Sequence, residues 1–425
     1  MSKFKWVFIV TLILTLVALP AFAACAKPEA KGKVLYVGGT MSLTGPYAED
    51  SAAILDGMQD YIKYVNANKI LAPWYPDKTI PADVTFEVLY RDDAYTADKM
   101  MPIYEELRAK GILVYRCSGT TTVLTLKDRL MADRVGATSM STSPVIDSPP
   151  GTIFPNYCIY TDACAAFADW FMASWKAAGK TTAPKFAYLT ADSSMGKGVL
   201  TPEMDAYIKS IGFELVGTQL VPVVPTAPPT TQLMWLKDNK VDACFGVMIN
   251  PGSQPTVKEM NKLDMGPYKT YKITFGCATP SHLQVFVPAM GQEGNGFVVA
   301  GGYANWDDTG TGMTWANSLL KANRPDKVGK EHIMYVDGII EGMTQVEAQR
   351  LAMQAVPFEN LKPVDVLEYG FYKIKDLSTG GITATPLTYT PTQVDGITAA
   401  RIQQVQNGKI VDLGSYPLRH IYKHE

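Results

Sequence analysis

Charge of one sign in excess is absent from this chain. Lys and Arg number 39 against 41 Asp and Glu, a formal net charge of −2. No basic field is therefore present to hold nucleic acid or an anionic membrane surface. Histidine is scarce, with 4 residues in 425. The sequence contains no HExxH, no GxSxG, no P-loop and no GxGxxG after a strand. No metal constellation stands out, so neither a metal nor a cofactor is expected. Long apolar runs are confined to the N-terminus, where VFIVTLILTLVAL occupies residues 7–19. That run is shorter than the roughly 20 residues of a comfortable membrane span.

What is present at that end is an export signal. MSKFKW carries two lysines, the apolar run follows, and PAFAAC supplies small residues. This is the order of a secretory signal over residues 1–24. Ala21-Phe22-Ala23 suits cleavage to a soluble product. Phe22-Ala23-Ala24-Cys25 resembles a lipobox with Phe in place of Leu, which would leave Cys25 lipidated. Both products work outside the cytoplasm, in the periplasm. An oxidising compartment permits disulfides, so Cys158 with Cys164, and Cys244 with Cys277, are open either to bridging or to a buried free-thiol state, as Cys117 is to the latter.

Beyond a short tether, strands and helices alternate. VLYVGG reads as a strand, and DSAAILDGMQDYIKYVNA as a helix with Ala53, Leu55, Met58, Ile62 and Val65 at helical spacing. PADVTFEVLY alternates as a strand. TADKMMPIYEELRAKG is a helix with Gly111 past its end. ILVYRC, TVLTLKDRLMADR and GATSMST continue the series. A second series runs from TDACAAFADWFMASWKAAGK through KFAYLTA, GVLTPEMDAYIKSIG, FELVGTQLVP, TTQLMWLKDNK, VDACFGVMI, SQPTVKEMNKLDMG and YKITFGCA. Such alternation favours parallel sheets covered by helices on both faces, an α/β fold of two similar lobes. PVVPTAPPT reads as an extended loop. The last third returns to helix, then to strand-like ATPLTYTP and a hairpin about Asn407-Gly408.

Ligands of parallel open sheets bind beyond the carboxyl ends of the strands. In the first series those loops are GGTMSLTGPYAED, YRDDAYT, CSGTTT and SMSTSP. Three of them are dense in Ser and Thr. Ser118 to Thr122 also open a helix, whose N–H groups and dipole favour a carboxylate. Three converging hydroxyl-rich loops point to a site rather than to turns alone. The second series contributes Asp192, Ser193, Met195, Asn250, Thr279 and Ser281, and GGYANW adds Tyr303 and Trp306 as pocket walls or core packing. Asp92-Asp93 reads as a solvated or helix-capping pair. Ser281-His282 is a weak nucleophile–base candidate, because side chains of adjacent strand residues point apart. His332 reads as helix surface.

Taken in order, VLYVGGTMSLTGPYAEDSAAILDGMQ, SGTTT, STSP, ADSSMGKG and the tail TPLTYTPTQVDGITAARIQQVQNGKIV resemble the periplasmic substrate-binding proteins of the branched-chain amino-acid ABC transporter family. The resemblance covers nearly the whole mature chain. It implies the type I periplasmic binding fold, two Rossmann-like doubly wound lobes joined by a three-stranded hinge. The lobes would comprise residues 33–155 with 280–358, and 156–279 with 359–425. It implies delivery of a small carboxylate-bearing ligand to ABC permease subunits by a monomer that closes its cleft, without catalysis. A ligand-sensing receptor of the same fold, or a secreted hydrolase using Ser281 and His282, are the alternatives. LTGPYA would be the first cleft loop, with Tyr47. Ser118, Thr120, Ser141 and Ser143 would hold the carboxylate. Three departures bear on the amine. Asp50 stands where an aromatic often covers the ligand, Met195 stands in a tyrosine's place, and ATPSH lacks the carboxylate that usually holds the ammonium. Asp50 or Asp192 would replace that clamp, or the ligand has no ammonium group.

Overall fold

The computed structural model describes residues 32–147, 149–278 and 281–421. The signal segment, Cys25 and Thr279 lie outside the described residues. In the first lobe, β1 (Lys33–Met41) pairs in parallel with β2 (Val84–Asp92). β3 (Tyr115–Cys117), β4 (Ala137–Ser139) and β5 (Ile153–Pro155) pair in parallel with one another. β1 lies alongside β3, so the spatial order is β2–β1–β3–β4–β5. Helices α1 (Ala48–Asn68), α2 (Ala97–Ala109) and α3 (Thr120–Asp133) make the crossovers.

Gly38-Gly39 at the end of VLYV has a physical cause. Gly38 has φ +121° and Gly39 φ +148°, and a Cβ on Gly39 would stand 2.4 Å from the Arg116 nitrogen. Only glycine lets β1 sit this close to β3 in that conformation. Hydrogen bonds that the β1–β3 ladder lacks come from side chains. The Thr40 hydroxyl donates to the Arg116 carbonyl at 3.2 Å. Gln345 accepts from Gly38 N–H at 2.7 Å and donates to the Tyr115 carbonyl at 2.9 Å.

The second lobe carries one seven-stranded sheet, ordered β12–β11–β10–β9–β8–β6–β7. Its parallel part is β6 (Lys185–Ala191), β7 (Glu214–Val221), β8 (Ala243–Val247), β9 (Thr274–Ala278) and β10 (Val298–Ala300). β11 (Ala399–Gln406) and β12 (Lys409–Pro417) add antiparallel strands at one edge. Their turn, Asn407-Gly408, has positive φ at both residues, 52° and 70°, the geometry the Asn-Gly pair favours. Helices α4 (Tyr160–Ala177), α5 (Ser194–Lys197), α6 (Pro202–Ser210), α7 (Thr230–Asp238), α8 (Asn250–Lys262) and α9 (Leu283–Met290) belong here. The helix expected over GVLTPEMDAYIKSIG begins only at Pro202, which occupies its first turn.

The chain then returns to the first lobe through α10 (Thr311–Asn323) and α11 (Met334–Ala355), both of which pack on α1. The lobe boundaries therefore differ from those expected. α9 and β10 stay with the second sheet, so the second crossing follows Ala300 rather than residue 279. Residues 366–373 pack on α11, so the third crossing lies well after 358. ATPLTYTP forms no strand; it makes only the isolated bridge Leu377↔Leu387, because Pro386 and Pro391 interrupt a ladder. The lobe cores are apolar side chains between sheet and helices. Among the described residues no helix is long and apolar enough to cross a membrane.

Candidate functional site

The carboxyl ends of both sheets face each other, and the lobes touch there. The Tyr47 hydroxyl, at the start of α1, donates to Met195 Sδ of the second lobe at 3.7 Å. The Ser143 Oγ lies 3.0 Å from where a Cβ on Gly198 would stand. Tyr160 N–H donates to the Thr142 carbonyl at 2.9 Å. Tyr47, Thr120, Ser141, Ser143, Met195 and Tyr160 are all buried. This is a closed cleft.

Its lining is hydroxyl and aromatic. Thr120 Oγ1 and Ser141 Oγ are 2.8 Å apart, and both act on the Tyr160 phenol. The Ser143 N–H donates to Ser141 Oγ at 3.3 Å. Tyr47 packs on Tyr95, ring centroids 4.3 Å apart. Burial, with Tyr95, Tyr160 and Asp50 nearby, pushes the Tyr47 phenol up, so it is a neutral donor throughout the physiological range. α3 begins at Thr120 behind Gly119 with no side-chain cap. Its first-turn N–H groups and dipole thus face the same hydroxyls.

A carboxylate that its sequence context marks as solvated or helix-capping organises these loops. Asp93 is fully buried. It accepts from Ser42 Oγ at 2.8 Å, from Tyr95 N–H at 2.9 Å, from Thr122 Oγ1 at 3.3 Å, and from the Ser118 hydroxyl. These bonds hold Ala94 and Tyr95 at φ +49° and +58°, which turns the Tyr95 ring against Tyr47. Asp92 braces the neighbouring loop. Burial opposes its charge, but the Ala94 N–H, the Thr44 hydroxyl and the Leu43 N–H outweigh that and hold the carboxyl below its ordinary value.

Several expected contacts are engaged elsewhere. The Ser118 hydroxyl belongs to Asp93, and its N–H donates to Thr40 Oγ1 at 3.2 Å. Asp50 points to His332, 3.3 Å away. His332 is thus largely buried at the lobe boundary and not on a helix surface. Asp192 pairs with Lys197 at 2.6 Å, both half-exposed. Tyr303 donates to Asn156 Oδ1 at 3.0 Å and to Asp337. Asn156 also donates to Asp337 at 3.0 Å. Tyr303 therefore fastens the first and second crossings to α11 instead of lining the cleft. Asn250 donates to the His282 carbonyl at 3.1 Å and accepts its N–H at 2.9 Å, which fixes the β9 loop.

Ser281 and His282 make no dyad. Ser281 Oγ donates to the Met248 carbonyl at 2.8 Å, and His282 Nε2 is buried with no hydrogen-bond partner. The five cysteines described are free and buried, so neither disulfide pairing forms. Beyond His332 a separate groove of about 1070 Å³ opens between α1 and α9, lined by charged and aromatic side chains that include Asp56, Trp306, Lys327 and Lys409. None of the clustered hydroxyl residues borders it.

Comparison with known proteins follows the same lines. A family model described as periplasmic binding protein matches residues 34–363. Among solved structures the chain is similar to a branched-chain amino-acid ABC transporter protein from Thermus thermophilus with bound valine. That match has 18% identity, covers 92% of this chain and 98% of the other, and has a TM-score of 0.79. A fatty acid ABC transporter substrate-binding protein from Thermomonospora curvata matches at 17% identity over 92% and 94%, TM-score 0.72. A solute-binding protein from Rhodopseudomonas palustris BisB5, in complex with 3,4-dihydroxybenzoic acid, matches at 16% identity over 91% and 98%, TM-score 0.69. At these identities the likeness establishes the fold. A comparison with curated proteins returned no match.

Proposed function

Because the chain belongs to the periplasmic binding protein family, we propose that it is an exported, non-catalytic receptor that captures a small carboxylate without an ammonium group and delivers it to an ABC importer. The observation that carries the choice of ligand is the fate of the acidic side chains. An ammonium buried in the cleft needs a partner, since an unpaired buried charge costs several kcal/mol. Asp50 is paired with His332 and Asp192 with Lys197. Asp93 already accepts from four groups. The β9 loop, Ala278 to His282, holds no acid.

The anionic end has what it needs. Thr120, Ser141 and Ser143 supply hydroxyls, and the start of α3 supplies N–H groups and a positive dipole end. Tyr47, Tyr95, Tyr160 and Met195 supply the apolar wall. Solved proteins of this fold bind valine, fatty acids and benzoates, so the scaffold accepts acids with and without the amine. Tyr47 and Met195 come from opposite lobes, so ligand held between them favours the closed form through contacts the open form lacks. Neither catalysis nor a bound cofactor enters this cycle, and Cys25 is the anchor point if the mature chain is lipidated.

The test is a thermal-shift screen of refolded, ligand-stripped protein against aliphatic and aromatic acids and their α-amino counterparts. A ligand at about 100 times its dissociation constant adds roughly 2.7 kcal/mol. Amine-free acids raise the midpoint, and Thr120→Val abolishes the response. A response confined to amino acids overturns the ligand class.

A further inference from the structure

Outside the cleft, three side chains remote in sequence converge at the hinge. Asp162 lies in the first turn of α4, directly after the first crossing. Asp395 lies in the segment that leads into β11, at the third crossing. His420 follows β12 in the tail. One donor atom from each falls within 4.8 Å of the other two. His420 Nδ1 is 3.1 Å from Asp395 Oδ2.

Two carboxylates this close and this buried need compensation. Asp162 is 2% exposed and Asp395 3%. Asp162 accepts the Arg419 N–H at 2.9 Å. Asp395 Oδ1, by contrast, is buried and has no hydrogen-bond partner, a costly state for a carboxylate oxygen. The nearby guanidinium of Arg419 is turned to Asp169, at 2.7 Å, and so does not neutralise the pair.

We propose that Asp162, Asp395 and His420 bind a divalent transition-metal ion of the Zn²⁺ class. An imidazole with two carboxylates suits Zn²⁺ and its neighbours, whereas Mg²⁺ and Ca²⁺ favour all-oxygen shells. Metal–donor distances of about 2.0–2.2 Å set adjacent donors of a tetrahedron roughly 3.4 Å apart. The His420–Asp395 separation of 3.1 Å is close to that edge, and the Asp162 donor lies within 4.8 Å of both. The ion would neutralise the Asp395 carboxylate, whose Oδ1 has no hydrogen-bond partner. It would also join α4, the third crossing and the C-terminal tail, so occupancy stiffens the hinge without entering the cleft.

The test uses tag-free mature protein stripped with EDTA. Zn²⁺ is titrated calorimetrically with Mg²⁺ as control, and melting is followed with and without Zn²⁺. We expect one equivalent of Zn²⁺, a raised melting temperature and no response to Mg²⁺. Loss of partners that merely orient metal ligands costs 10–100-fold in affinity, so His420→Ala, which removes a ligand, should weaken Zn²⁺ binding by at least roughly tenfold. Co²⁺ absorption of the wild type reports a nitrogen–oxygen donor set even if that variant folds poorly. No Zn²⁺ binding by the wild type, or an unchanged affinity in folded His420→Ala, overturns the site.

Discussion

Acid should loosen this protein through His282. Its imidazole is buried between the lobes, and that burial lowers its pKa to about 4 from 6.5; Asp50 opposes the shift and His332 adds to it. The unfolded chain therefore takes up a proton as pH falls through 6.5, while the folded protein refuses it until about pH 4. A depressed folded pKa means that this contribution is full above 6.5 and is lost as pH falls through that window. With one pKa unit worth about 1.36 kcal/mol, the whole window amounts to about 3 kcal/mol, and about 2 kcal/mol is gone by pH 5. Urea unfolding of wild type and His282→Gln at pH 7 and pH 5 isolates the effect. Asn250 bonds only the His282 backbone, so the variant keeps the loop. The wild type should lose about 2 kcal/mol more than the variant on acidification. Equal losses would refute the burial argument.

Three further outcomes follow from packing and burial. A Cβ on Gly57 would stand 1.9 Å from the Tyr335 carbonyl oxygen, so Gly57→Ala must push α1 and α11 apart; a loss of roughly 1–3 kcal/mol is expected in urea unfolding, and a neutral variant would contradict that contact. Ser118→Ala removes a donor from buried Asp93 and should cost about 1–3 kcal/mol of stability, whereas a loss of affinity with stability unchanged would return Ser118 to the ligand. Cys117, Cys158, Cys164, Cys244 and Cys277 are buried with their thiols pushed up, chiefly by burial. A thiol reagent should modify them only after unfolding, and rapid labelling of the native protein would contradict their placement.

Much of this was legible in the residues. Strand–helix alternation, the hydroxyl-rich loops and the Asn407-Gly408 hairpin are local patterns, and each stands where its pattern places it. The short strands β5 and β10, three residues each, are too brief for any periodicity to show. Side chains whose partners lie far away in sequence carry no such cue. Asp93 looks like a solvated or helix-capping acid until Ser42, Ser118 and Thr122 close around it. Tyr303 reads equally as pocket wall or core packing until Asn156 and Asp337 take its hydroxyl. Asp50 and Asp192 look like ammonium ligands until His332 and Lys197 claim them. Asp162, Asp395 and His420 carry no spacing signal, because the fold alone assembles them. Thr120, Ser141, Ser143, Tyr47 and Met195 follow strand ends, where topology fixes their neighbours, and the fold brings them into contact.

The ligand class is tested most directly by calorimetric titration of ligand-stripped protein with matched pairs, each a carboxylic acid and its α-amino form. Valine against 3-methylbutanoate and phenylalanine against 3-phenylpropanoate differ only in the ammonium. With Asp50, Asp93 and Asp192 each already engaged, an ammonium left without a partner costs several kcal/mol on burial, so the better-binding pair should favour the amine-free acid by more than roughly a hundredfold. Tighter binding of the amino acid would mean that one of the engaged acids, Asp50, Asp93 or Asp192, exchanges its partner for the ligand, and the account of the cleft would fail.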